Sequence, residues 1–485
     1  MSKFQPHSEY QSAKRGDYAL LPLRFTSLNE RQFVLTNFAG EYHVLDKKIA
    51  REFMEHRLDE ASPHYEDLKS KHFLLNDESS VAIDLLALKT RTRMERITQF
   101  TGLHLFVVTL RCEHSCPYCQ VSRQNDNKPD FDMTAITADR AIDLVFSSPS
   151  PQLKIEFQGG EPLLNFPLIQ RIVETAEARN SVEKRDLGFV IATNLAVISD
   201  EMLSFCKAHQ IHISTSLDGP RDLHNKNRPR PGGDSYERAI SGINRVKTSL
   251  GRDQISAVMT TTNASLERSR DIIDEYITQG FDSIFLRPLS PYGFAVKTKW
   301  YNAYDTEKWL AFYFEGVDYI IELNRQGIQF KETYASTILT KMLTPFQPGY
   351  VDLMSPAGIG VGALLYNYDG SIFASDESRM LAEMGDNKFR LGSVSDDYAA
   401  LISSDALLDP LEASFAASAP MCSTCAFEPY CGAEPVYHHA TQGDYVGRKP
   451  LSGFCNRNMA IFRGLITRME GDGFTRRLFT RWANR

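Results

Sequence analysis

The chain reads as an α/β protein built on a partial (βα)6 TIM-like barrel, with a winged-helix-like segment before it and a cysteine-rich segment after it. Three observations predict this. Between residues 99 and 330, six short apolar runs alternate with six helical patterns, the order that a parallel sheet wrapped by helices requires. The first 98 residues instead set three strand-like runs before three helical ones. Beyond residue 330 the alternation stops, and four of the eight cysteines collect there. A length of 485 residues suits about three domains, with expected boundaries at 1–98, 99–330 and 331–485.

Each element has a local reason. Residues 18–25, 32–36 and 41–45 are rich in β-branched and aromatic side chains and are separated by turn-like stretches, the pattern of a small antiparallel sheet. Helical patterning follows at 47–57. Ser62 then offers a cap with Pro63 at the first helical position, and a third helix is expected over 80–97. Residues 103–110 (LHLFVVTL) are almost continuously apolar, as a strand buried on both faces should be. The series continues with strands at 153–157, 188–193, 211–217, 254–261 and 283–288. Helices are expected at 134–146, 166–181, 199–209, 235–249, 266–279 and 305–326.

Composition narrows the function. Hydrophobic residues make up 42% and charged residues 24%, which excludes a wholly disordered chain. No apolar run approaches the ~18 residues of a membrane span. A net charge of −7 argues against a generally basic nucleic-acid binder. The first residues lack the apolar core of a secretory signal, so a cytoplasmic location is expected. There, clustered thiols read as metal ligands rather than disulfides.

The first cluster, Cys112-Glu-His-Ser-Cys116-Pro-Tyr-Cys119, follows the first barrel strand. Three thiolates on one loop can hold three irons of a cubane and leave the fourth open; a zinc loop completed by His114 or a distant cysteine is the other reading. The second cluster is Cys422, Cys425, Cys431 and Cys455. Four thiolates suffice for a closed zinc site or a fully ligated [4Fe–4S] cluster. Cys206 lies on an expected barrel helix and reads as a small core hydrophobe. The arginines of the last helix (Arg463, Arg468, Arg476, Arg477, Arg481) read as a solvated face or as contacts to an acidic peptide.

The C-x3-C-x-aromatic-C loop, placed after the first strand of such a series, resembles the radical S-adenosylmethionine superfamily. The resemblance runs over roughly residues 103–290. Gln158-Gly159-Gly160-Glu161-Pro162, Thr193-Asn194, Ser214-Thr-Ser216-Leu-Asp218-Gly-Pro and Arg228 follow in order. It implies a [4Fe–4S] cluster on Cys112, Cys116 and Cys119 whose open iron chelates S-adenosylmethionine, and a 5′-deoxyadenosyl radical that abstracts hydrogen. It further implies cofactor contacts from Tyr118, Gly159, Gly160, Glu161, Asn194, Ser216, Asp218 and Arg228. An external donor of flavodoxin or ferredoxin type would supply the electron.

The second cysteine set resembles the SPASM extension, which implies an auxiliary [4Fe–4S] cluster and two clusters in all. Ser375 and Pro435 stand where fuller members carry further cysteines, so one auxiliary site is expected to be lost. Asp376 stands where sulfatase-maturing relatives hold a general base. The first 98 residues resemble a PqqD-like element that binds a leader peptide by strand addition, with 41–45 as the acceptor edge and the third helix beside it. The stretch 366–386 resembles the His-Xaa-Ser-system maturases.

Together these imply an enzyme that modifies a leader-bearing ribosomal precursor peptide, taking a side-chain Cβ hydrogen and forming a cross-link. Two alternatives stay open: a side-chain oxidase of the anaerobic sulfatase-maturing type, and a zinc-stapled peptide-binding protein without activity.

Overall fold

The computed structural model describes residues 18–76, 81–302 and 304–484. In chain order the strands are β1 (Tyr18–Leu20), β2 (Leu23–Ser27), β3 (Gln32–Asn37), β4 (Tyr42–Asp46), β5 (Leu74–Asn76), β6 (Leu103–Thr109), β7 (Gln152–Gly159) and β8 (Asp186–Thr193). They continue with β9 (His212–Ser216), β10 (Ile255–Val258), β11 (Ser283–Ile284), β12 (Lys331–Glu332), β13 (Ala363–Tyr366), β14 (Ser371–Phe373) and β15 (Arg390–Ser393).

Eight strands form one sheet in the order β10-β9-β8-β7-β6-β13-β14-β15. From β10 through β13 every neighbour is parallel; β14 and β15 add antiparallel. The apolar β6 lies mid-sheet and is buried almost throughout. Helices Ala135–Ser147 and Phe166–Glu183 close over the sheet with Ile142, Val145, Ile169 and Ile172 in a core shared with Phe106, Ile155, Phe157 and Ile191. Local signals set their starts: the Thr134 hydroxyl accepts from the Thr137 N–H, and Ser199 caps helix Asp200–Ala208 through the Met202 N–H. Cys206 sits in that core, fully buried.

The sheet departs from six barrel strands in two ways. The expected strand at 283–288 contributes only β11, which pairs in parallel with β12 rather than with β10. Its next donor, the Leu286 N–H, goes to the Glu332 carboxylate at 3.1 Å, and the Arg287 N–H turns back to the Phe285 carbonyl at 2.8 Å. Pro288 has no N–H to offer. One link to the segment after β10 remains, Thr261 N–H to Arg287 carbonyl at 2.9 Å. At the other edge, β13 comes from beyond residue 330 and pairs with β6 (Leu364 opposite His104). The cysteine-rich segment and the barrel therefore share a sheet.

Near the N-terminus, β2-β3-β4 form an antiparallel sheet, and β1 pairs with β5. The expected single strand at 18–25 is broken at Leu21–Pro22: the Leu21 N–H bonds to the Phe73 carbonyl at 3.0 Å, and Pro22 cannot donate. A separate core of Tyr18, Leu35, Phe53, Leu68 and Phe73 holds this unit together. It docks on the second cysteine region. Arg24 pairs with Glu428 at 2.9 Å, Thr36 Oγ1 donates to the Ala426 carbonyl at 2.6 Å, and Tyr430 donates to the Gly40 carbonyl at 2.8 Å. Residue 80, at the start of the expected third helix, lies outside the described residues; the helix runs Val81–Met94. No described helix is long and apolar enough to cross a membrane.

Candidate active site

The site forms where β6–β10 end. The loop after β6 is anchored at its base by Arg111, which pairs with Asp132 at 2.7 Å and donates to the Leu164 carbonyl at 2.8 Å. A turn closes Cys116 onto Cys119 (carbonyl to N–H, 3.1 Å), and the Ser115 N–H reaches the Pro229 carbonyl at 2.7 Å. Cys112, Cys116 and Cys119 all open into one cavity of about 320 Å3. Tyr118, Gly159, Gly160, Asn194, Ser216, Arg228 and Asp376 line the same cavity.

The two glycines have a structural reason of their own. The Gly160 N–H bonds to the Thr109 carbonyl at 2.9 Å. A Cβ at Gly159 would collide with the Thr109 carbonyl, and one at Gly160 with that of Arg111. Only glycine lets the β7 loop pack this closely on the cysteine loop.

Glu161 and Asp218 stand behind the cavity wall, both 0% exposed. Glu161 accepts from the Leu163 N–H at 3.0 Å, the Thr193 hydroxyl at 2.7 Å and the Asn194 N–H at 2.8 Å. It thus ties the loops after β7 and β8 together. Burial and the nearby Glu113 charge push its pKa up, against three donors that favour the anion. Asp218 accepts from Tyr118 Oη at 2.5 Å and pairs with Arg228 Nε at 3.1 Å, while the Arg228 guanidinium lies 5.6 Å from the Tyr118 ring centre. The triangle fixes an arginine at the cavity wall, and Asn194 is fixed by Nδ2 to His114 Nδ1 at 3.0 Å.

His114 lies with Cys112 and Glu113 close enough to share an ion, yet both its ring nitrogens are engaged. Nε2 meets Ser235 Oγ at 2.8 Å, and Nδ1 meets Glu113 and Asn194. The three thiols are therefore the donor set turned toward the void. Burial raises the pKa of Cys112 and Cys116, as expected of thiols that need a metal to become thiolates. Around them Thr215 Oγ1, Gln120 Nε2 and Arg123 Nε are buried without a partner in the described residues. A roomy polar cavity with unmet donors and acceptors fits a three-thiol cluster carrying a polar ligand.

Asp376 reaches the cavity from the C-terminal third. Ser375 caps helix Asp376–Ala382 in a reciprocal box with Ser378, so the residue at the expected cysteine position serves as a cap. Asp376 Oδ1 is buried and unpartnered, and burial raises its pKa, partly offset by Arg379 and Arg287.

Among the cavity residues that sequence reading missed are Glu156 and Arg287. Glu156, on β7, has its pKa raised to about 7 by burial and by the Asp376 charge. The signal was present: Lys154, Glu156 and Gln158 alternate with Leu153, Ile155 and Phe157, so one face of a parallel strand is polar where both should be apolar. Arg287, just past β11, also lines the cavity.

The second cysteine set converges from two turns and a helix. The Cys425 N–H bonds to the Cys422 carbonyl at 3.0 Å and the Cys431 N–H to the Phe427 carbonyl at 3.2 Å; Cys455 lies in the first turn of helix Gly453–Gly471, which Ser452 caps. Burial raises Cys431 first, and the charges of Cys425, Cys455 and Cys422 add to it, so the four sulfurs share one locale. Asn458 Nδ2 lies 3.9 Å from Cys431 Sγ, and its Oδ1 accepts from Tyr334 at 2.8 Å. Four convergent thiols fit a fully ligated metal centre. Pro435, the other expected cysteine position, starts helix Pro435–Gln442.

Residues 106–263 match the radical SAM superfamily. An uncharacterised protein of Methanocaldococcus jannaschii is 31% identical over 190 residues, covering 39% of this chain and 63% of that one. The radical SAM cyclopropyl synthase TigE of Paramaledivibacter caminithermalis is 24% identical over 168 residues, covering 32% of this chain and 34% of that one. The chain thus spans less than two thirds of these relatives. Among solved structures, anSMEcpe with bound AdoMet and the Kp18Cys peptide superposes with a TM-score of 0.63 at 17% identity, covering 79% of this chain and 99% of that one. Streptococcus suis SuiB bound to its precursor peptide SuiA gives 0.52 at 15% identity, covering 89% and 98%. The fold is that of radical SAM proteins with a mostly parallel central sheet.

Proposed function

We propose that the chain is a radical S-adenosylmethionine enzyme that modifies a ribosomal precursor peptide, removing a Cβ hydrogen and forming an intramolecular cross-link. The observation that carries this is the shared cavity: three thiols of one loop open into it, and Asp376 and Arg287 enter it from elsewhere in the chain.

Cys112, Cys116 and Cys119 would hold the cofactor's cluster, and Cys422, Cys425, Cys431 and Cys455 an auxiliary one. When bound, the first cluster and S-adenosylmethionine supply one-electron chemistry that takes a hydrogen atom from a carbon, with an external flavodoxin- or ferredoxin-type donor. The chain's own residues do the positioning. Arg228, held by Asp218 and Tyr118, presents a fixed positive charge to the ligand carboxylate; Asn194 and Ser216 offer polar contacts from the ends of β8 and β9. Asp376, raised and unpartnered at Oδ1, would take the proton released as the new bond forms, and the electron released with it would go to the auxiliary cluster that Cys422, Cys425, Cys431 and Cys455 would hold.

The N-terminal unit offers the place for a leader. β4 is an edge of its sheet, and helix Val81–Met94 lies beside it, with Lys89 paired to Glu41 at 2.6 Å. That helix exposes Ile83 (54%) and Leu88 (58%). An edge strand beside exposed apolar side chains suits an added peptide strand.

The position of Asp376 also favours a second reading, a side-chain oxidase of the sulfatase-maturing type. One experiment separates the readings. Anaerobically reconstituted enzyme is incubated with S-adenosylmethionine, reductant and candidate peptides, and products are read by mass and fragmentation. A cross-linked peptide two hydrogens lighter supports the proposal, an aldehyde product supports the oxidase, and a preparation that never forms 5′-deoxyadenosine overturns both.

A further inference from the structure

A second cavity adjoins the first. It has a volume of about 50 Å3, room for roughly four waters on the same measure, so it suits the head of one side chain rather than a whole residue. Arg287 lines both cavities. Helices Asp376–Ala382 and Pro435–Gln442 frame it: Glu377 comes from the first turn of one and Glu434 caps the other.

Its charges are not locked into ion pairs: Arg287 stands near enough to Asp352 and Glu377, and Arg457 to Asp352, to favour their charged forms, while burial favours the neutral forms of all three carboxyls facing it, Asp352, Glu377 and Glu434. Asp352, Glu377 and Glu434 face it, and none of the three forms an ion pair with a described residue. Arg287 and Arg457 also face it, likewise without an ion pair. Arg457 is spent on ring faces, 5.8 Å from Trp309 and 5.5 Å from Phe454. Carboxylates thus outnumber guanidiniums by three to two, with Asp376 adjacent in sequence to Glu377.

Most of the rest of the lining is aromatic: Phe285, Tyr334, Tyr350, Tyr437 and Phe454, alongside Pro288 and Ser290. Tyr292 adds an independent sign of a missing ligand. It is 2% exposed, stands among Glu434, Glu377 and Asp352, and its hydroxyl makes no hydrogen bond to a described residue. Its oxygen is not sealed in the core but open to the cavity, where a ligand can meet it. An excess of buried carboxyls over guanidiniums, aromatic walls and an open hydroxyl together describe a receptor for a cation.

We infer that this cavity is a specificity pocket that receives the cationic head of a substrate side chain, an ammonium, imidazolium or guanidinium, and so sets which residue lies beside the Cys112–Cys119 loop. Glu377 and Glu434 supply the charge, the tyrosines and phenylalanines the faces, and Tyr292 an oxygen acceptor. The inference rests on the peptide-modifying reading for the identity of the ligand, and its test is independent of turnover.

The full chain, with clusters reconstituted, is titrated anaerobically with n-propylammonium, 4-methylimidazolium and N-methylguanidinium, with propionate and propanol as controls, and followed by saturation-transfer NMR. At least one cation binds saturably, and propionate and propanol do not. Glu377→Gln and Glu434→Gln each weaken that cation about tenfold, the loss of one charge-assisted contact. The amide oxygen introduced by Glu434→Gln can still accept the cap hydrogen bonds, and should either variant fail to fold, Tyr292→Phe weakens binding about threefold on an intact pocket. Equal binding of propionate, unchanged cation affinity in the variants, or no saturable cation binding overturns the inference. Modified peptide with no cation binding sinks the pocket alone; cation binding without any 5′-deoxyadenosine leaves the pocket and sinks the radical reading.

Discussion

The two cysteine clusters show how differently the same side chain can be surrounded. All three thiols of the first loop open onto a cavity of about 320 Å3 with unpartnered polar atoms in its wall. In the second set Cys431 borders a smaller void, of about 80 Å3, shared with Arg93 and Met94 of the N-terminal unit. Its neighbours fill space instead: Met459 Sδ lies 3.7 Å from Cys425 Sγ, and Asn458 reaches Cys431. Three donors beside a large void leave a coordination position for a ligand, whereas four donors can complete a ligand set by themselves. The difference teaches that reactivity is assigned by missing neighbours.

The largest expected effect breaks the contrast at its open end. Cys116→Ala should abolish 5′-deoxyadenosine formation to the limit of detection and remove about half of the bound iron and sulfide, with the second centre retained; chemical analysis and a nucleoside assay check it. Cys455→Ala should spare some nucleoside formation but lose the other half of the iron, uncouple it from peptide product and lower the thermal midpoint, because Cys455 ties helix Gly453–Gly471 to the turns carrying Cys422 and Cys425. Retention of full product yield by Cys455→Ala would erase the functional distinction between the clusters. Asp376→Asn should lower peptide product by about 10²–10³ while nucleoside formation persists, read as the ratio of the two.

The open cavity also carries a pH signature. The folded pKa of Glu156 is about 7, raised first by burial and then by the Asp376 charge, against an ordinary value of 4.5. The native state then holds a proton that the unfolded chain releases. Its contribution to stability is full below pH 4.5 and is lost as pH rises through about 7, a change of about 2–3 kcal/mol at most. Glu156→Gln should flatten that slope in urea unfolding curves recorded from pH 5 to 8. The smallest effect belongs to the eighth cysteine. Cys206→Ala should cost about 1 kcal/mol of stability and leave activity intact, which sharpens the comparison by giving a thiol in a packed core.

How much was legible varies by element. β6, β7, β8 and β9 fall where apolar runs and turn residues put them, since at least one face of each must be apolar to pack in the core. The expected strand at 283–288 fails because its donors find a side chain, Glu332, more than forty residues away, and no local pattern announces a remote carboxylate. β13 joining β6 is equally non-local. Among site residues, the cysteine spacing is explicit in the chain, and Glu156 was signalled by a polar face on an inner strand. Arg287 was not, since a lone arginine after a short strand has no pattern. Glu161 and Asp218 belong to recognisable motifs, yet their place behind the wall, orienting Asn194 and Arg228, follows only from the packing of the loops after β7, β8 and β9.

By itself the chain determined which thiols can act together, the alternation that builds a parallel sheet, and the glycines that let two loops touch, because each depends on neighbours within a few residues. Tertiary structure alone decided that Asp376 and Arg287 reach the thiol-lined cavity, that Ser375 and Pro435 stand at the starts of helices framing a second pocket of carboxyls and guanidiniums, and that three thiols share one large cavity. Those outcomes depend on desolvation and on the positions of side chains hundreds of residues apart, and charge in a low-dielectric interior is governed by distance in space rather than along the chain.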